Sequence, residues 1–120
     1  MNLSAARQAL ADALSVVSGV DVRPRPFKAA PKAGDGWVVV QRLAPSTFSA
    51  CSATLAAVVV LSADETKAEE LLDAQAVGLV DAVTSSLNPA DVSLEPQAVV
   101  VGQTAAPLYA AVLTLTLEVD

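Results

Sequence analysis

Residues 62–88, SADETKAEELLDAQAVGLVDAVTSSLN, decide how the rest of the chain must be arranged. Ala68, Leu72, Ala76, Leu79, Val80, Val83 and Leu87 recur at three- and four-residue spacing, so a helix here carries one apolar stripe that needs a surface to cover. At about 1.5 Å per residue that helix is roughly 36 Å long, enough to cross a small sheet. Ser62 and Glu65 have capping-box spacing and predict the start, whereas Asn88 before Pro89 predicts a left-handed stop. Asp64, Glu65, Glu69, Glu70 and Asp73 crowd the first turns with Lys67 alone against them, which suits the positive end of the helix dipole. The plainest role of the segment is to cover a sheet while its acidic side stays in water.

The stretches on either side supply that sheet. Before the helix, residues 37–43 and 48–61 are β-branched and apolar runs joined by Ala44-Pro45-Ser46-Thr47, a predicted antiparallel hairpin. In the second run Cys51, Ala53, Leu55, Ala57, Val59 and Leu61 share one face. The other face turns apolar at Val58 and Val60, which predicts a helix over it too. After the helix, residues 91–95 alternate, Pro96 interrupts, and 98–101 resume, as in an edge strand or a bulge. The last strand puts Tyr109, Ala111, Leu113, Leu115, Leu117 and Val119 on one side and Thr114, Thr116 and Glu118 on the other.

Further out, Leu3, Ala6, Leu10, Ala13, Leu14 and Val17 predict a shorter helix over residues 2–18, capped by Asn2 or Ser4 and stopped by Gly19, with Arg7, Gln8, Asp12 and Ser15 on its outer side. A brief strand at 20–23 follows. The predicted order is α-β-β-β-α-β-β: an α+β fold in which two helices pack on an antiparallel or mixed sheet of about five strands. With 120 residues the chain is read as one domain, residues 1–120.

Residues 24–36 read PRPFKAAPKAGDG, an extended, proline-stiffened loop or arm that is long for a connection within a small domain. Arg23, Arg25, Lys28 and Lys32 are four of the seven basic residues, with no acid among them, in a chain of net charge −6. A basic arm and an acidic helix on one small protein point to contact between them, within one copy or from one copy to the next. The alternative is a solvated loop that binds nothing.

Composition narrows the chemistry. The chain has no histidine, one cysteine, no Gly-rich phosphate loop, no HExxH and no CxxC, and its dense carboxylates lie on an exposed helix start. Gly34-Asp35-Gly36 is too short for a calcium loop. No enzymatic activity, metal or cofactor is therefore expected, and Cys51 reads as a small core residue. The acidic balance argues against coating nucleic acid. The longest apolar run, residues 55–61, is far shorter than the roughly 20 residues a membrane span takes, and no signal peptide is evident, so synthesis and retention in a cytoplasm are expected. The absence of isoleucine and the wealth of Ala, Val and Pro fit a GC-rich genome. Because 53% of residues are apolar yet mostly small, part of this surface is expected to serve neighbouring subunits.

Four stretches carry a resemblance: MNLSAARQALADALSVVSGVDVRPRP, KAGDGWVVVQRLAPSTFSAC, VVVLSADETKAEELLD and VGQTAAPLYAAVLTLTLEV. Together they resemble tail terminator proteins of long-tailed, siphovirus-type actinobacteriophages. The resemblance implies a virion structural protein at the head-proximal end of the tail. Such proteins form a hexameric ring that caps the tube, ends its polymerisation and meets the head–tail connector, and DNA passes through the lumen without specific binding. It implies partners (further copies, the major tail tube protein and the connector protein) and no catalytic residues. On this reading Arg23, Arg25, Lys28 and Lys32 reach a neighbour, with Asp64, Glu65, Glu69, Glu70 and Asp73 one candidate counterpart. Another connector or stopper protein, or a small intracellular ligand-binding module, remains an alternative.

Overall fold

The computed structural model describes residues 1–26, 31–46, 50–100 and 107–120. The apolar stripe of residues 68–87 lies on α2 (Glu65–Leu87), where Ala68, Leu79 and Val83 are buried and Leu72, Ala76, Val80 and Leu87 half-buried. Beneath it run β3 (Cys51–Ser62) and β5 (Leu108–Val119), paired antiparallel with Leu55 opposite Leu115 and Ala57 opposite Leu113. The alternating leucines of β5 thus share a face with the odd-numbered residues of β3, and that face meets the helices.

The shorter helix, α1 (Leu3–Leu14), lays Ala6, Leu10 and Leu14 into the same core beside Leu79 and Val83. Three further strands complete the sheet: β1 (Asp21–Arg23), β2 (Asp35–Pro45) and β4 (Val92–Val99). The spatial order is β1-β2-β3-β5-β4, with β1 parallel to β2 and the other pairs antiparallel. The element order α-β-β-β-α-β-β and the mixed five-stranded sheet agree with the sequence reading.

Both helices pack on one face of the sheet, so the helix expected over Val58 and Val60 is not there. Cross-strand partners share a face, and on the face away from the helices Arg23, Trp37, Val58, Val112 and Glu95 form one row across all five strands. Val58, Val60, Ala56 and Ala110 are nevertheless buried, which small side chains in central strands achieve when larger neighbours stand beside them.

Other differences are local. The start of α2 is capped by Asp64, whose carboxylate accepts from the Thr66 and Lys67 amides, and no capping box joins Ser62 to Glu65. Ser62 still belongs to β3, past a register shift between Val60 and Ser62, and its hydroxyl instead accepts from the Asp64 amide. Asn88 ends the helix at φ 47°, ψ 56°, the left-handed stop its side chain tolerates. Helix α1 ends at Leu14, three residues before Val17, the last of its predicted apolar stripe, and Asn2, not Ser4, caps it. Strand β4 runs through Pro96 with no change of register, so this proline marks an edge strand without a bulge. Phe48 and residues 101–106 lie outside the described residues.

Gly34 ties three strands at one end of the sheet: its carbonyl accepts from Asp21 N, and its amide donates to Val60 O. It sits at φ +92°, and a Cβ there would stand 2.3 Å from the Gly19 carbonyl oxygen. Both its conformation and its space therefore require glycine. Replacing Gly34 by Ala is expected to cost about 1–3 kcal/mol, read from the urea midpoint. In the same assay Leu79→Ala, which empties a fully buried site under α2, is expected to cost about 2–5 kcal/mol. The exposed Val77→Ala on that helix should cost less than about 0.5 kcal/mol.

Candidate functional site

Among the described residues no polar or charged side chain is buried, and no group of three or more His, Cys, Asp or Glu converges as metal ligands would. Cys51 is half-buried against the core. What the molecule presents instead is separated charge and a cleft.

The basic segment leaves the sheet at its β1 edge. Arg23 lies in the row opposite Trp37, on the face away from the helices, and Arg25 and Lys32 are exposed on either side of residues 27–30. Lys28 falls outside the described residues. The segment is held at its base from two directions. The Arg7 guanidinium, reaching from α1, donates through Nη1 to Pro24 O at 3.3 Å and to Val38 O at 3.1 Å. Ser15 Oγ exchanges bonds with the Val22 backbone, accepting from its amide at 3.0 Å. Arg7 and Ser15 therefore face inward over β1 and β2, where the sequence reading had them on the outer side of α1; only Gln8 and Asp12 pair along that outer side. Arg7 is the one basic side chain in residues 1–22, which is the signal that could have flagged it.

The carboxylates of the predicted site lie along the opening of α2 and all are exposed. Asp64 is engaged as the helix cap. Glu65 and Glu69, one turn apart, flank a cleft of about 240 Å³ whose apolar lining comes from Leu61, Ala68, Leu72, Pro96 and Tyr109. It opens where the first turns of α2 pass over the ends of β3, β5 and β4. Tyr109 and Leu72 read from sequence as ordinary core positions, and the structure leaves both half-buried.

Within one copy Arg25 stands away from the cleft. Arg25 follows β1 at one edge of the sheet, and the cleft lies over β3, β5 and β4, two to four strands away, roughly 10–19 Å at about 4.8 Å per strand. Among the described residues the ion pair within hydrogen-bonding reach joins the Met1 amino group to Asp120 at 3.2 Å. Exposed apolar side chains add to the unpaired surface, notably Val77 on α2 and Leu43 on β2. No helix among the described residues is long and apolar enough to cross a membrane. Comparison with known protein families and with curated proteins finds no match to this chain.

Removing the anchor should loosen the arm. Arg7→Met leaves the Pro24 and Val38 carbonyls without their charged donor and is expected to cost about 1–3 kcal/mol. Hydrogen exchange should speed up at the Arg23 and Arg25 amides, and unchanged exchange there would show that Arg7 is not what holds the segment.

Proposed function

We propose that this protein is a virion structural component, a tail terminator that caps the tail tube of a long-tailed phage as a homohexameric ring. It acts by surface complementarity with further copies, with the major tail tube protein on one side and with the head–tail connector on the other. No catalytic step is involved. DNA passes through the lumen, and the acidic balance of the chain suits a channel along which a polyanion slides without adhering.

The observation that carries this reading is the placement of exposed, opposite charge at separate places on one small sheet. Arg25 and Lys32 stand exposed by β1, while Glu65 and Glu69 stand exposed beside an apolar cleft walled by β4. Complementary patches on opposite sides of a subunit favour head-to-tail contacts, which close into rings when the rotation allows. Exposed ion pairs contribute roughly 0–1 kcal/mol each, so they set register and partner choice, and apolar contacts supply the rest. The resemblance of the four quoted stretches to tail terminators supplies the identity of the ring.

The test is tail length. Deleting the gene from the phage that carries it is expected to give tails that overrun their normal length, visible by electron microscopy. Normal-length tails that stay detached from heads would instead mark a connector or stopper and overturn the terminator reading.

A further inference from the structure

We propose that the cleft between the opening of α2 and the β5–β4 edge is a receptor for the Pro24-Arg25-Pro26 turn of a second copy of this chain. The inference deepens the ring reading above and rests on it: it names the contact that joins one subunit to the next.

The cleft has the shape and chemistry for such a guest. Its floor and walls are apolar, with the Tyr109 ring, the Pro96 ring and the Leu72 side chain among them, and at about 240 Å³ it has the volume of about eight waters at roughly 30 Å³ each. Grooves with an aromatic wall recognise prolines well, because a proline-stiffened backbone is already restricted and little entropy is lost on docking. Glu65 and Glu69 stand at the margin on consecutive turns of one helix face, spaced to receive a single cation from outside.

The guest is presented by the same chain. Arg25 and Pro26 are exposed and follow directly on β1, and Arg7 fixes Pro24 from beneath, so the turn projects from a held base. An arginine between two prolines carries both parts of the match, since its hydrocarbon stem lies along apolar surface while its head reaches a carboxylate. Lys32, exposed where the segment returns to the sheet, adds a second cation to the presenting surface. Because Arg25 leaves the sheet at the β1 edge while the cleft lies over β3, β5 and β4, a copy does not seat its own turn in its own cleft, and each contact leaves one free turn and one free cleft for the next copy.

The experiment is a charge exchange on exposed residues, which leaves the core untouched. Self-association of the full chain is measured by sedimentation velocity at low ionic strength for the wild type, Arg25→Glu/Lys32→Glu, Glu65→Lys/Glu69→Lys, and all four together. Each pair alone is expected to weaken association by roughly ten-fold or more. The four together, and an equimolar mixture of the two pairs, are expected to restore it. Weakening by the helix pair but not by the arm pair would mean the cleft takes a different partner and would overturn the proposal, as would failure of the fourfold variant to recover. A wild type that stays monomeric at every concentration also overturns it, whereas the ring reading itself stands or falls on tail length.

Discussion

The contact on which the rest depends is the seam between the stripe of α2 and the leucines of β5. Leu79 and Val83 share one buried cluster with Leu113, Leu115 and Leu55, which Leu10 and Leu14 join from α1. Few large side chains are involved, and the surrounding positions are mostly Ala and Val. A core of this kind gains from close approach of backbones more than from bulk, which is why both helices lie side by side on one face. With both helices on that face, the apolar centre of the other face is shielded, among the described residues, by the side chains of the sheet itself.

Charge is kept out of that interior altogether. Among the described residues every ionised group is at least partly in water, so none has to be compensated to keep the chain folded. The carboxylates of α2 and the cations beyond β1 are therefore free to act outward. Fields from such groups are screened within about 10 Å at ordinary salt, so they act at contact range and are sensitive to ionic strength.

Periodicity made the elements legible, and it misled where two signals overlapped. The stripe of α2, the Asn88 stop and the alternation of β5 each depend on residues near one another in sequence, and each stands as read. Ser62 looked like a helix cap because Glu65 has the right spacing, but the strand before it had not yet ended, so Asp64 took the role. Val58 and Val60 looked helix-covered because apolar character on both faces of a strand has two causes, and the shielding here comes from neighbouring strands. Of the site, the two charged groups were visible as composition. The cleft was not, because Leu61, Leu72, Pro96 and Tyr109 come together only through strand order, and no pattern in the chain states that β5 lies between β3 and β4.

Pro96 in the middle of β4 has a wider effect. Thr116 donates to the Asp91 carbonyl, so by alternation the backbone of residue 96 points away from β5, toward the free side of the strand. A proline there offers no N–H and puts its ring where an incoming strand would lie. The outer margin of the sheet thus resists the cross-β stacking that leads to fibrils. A polypeptide rich in Val and Ala can in this way be concentrated while the backbone of this edge strand is closed to pairing with another copy at residue 96.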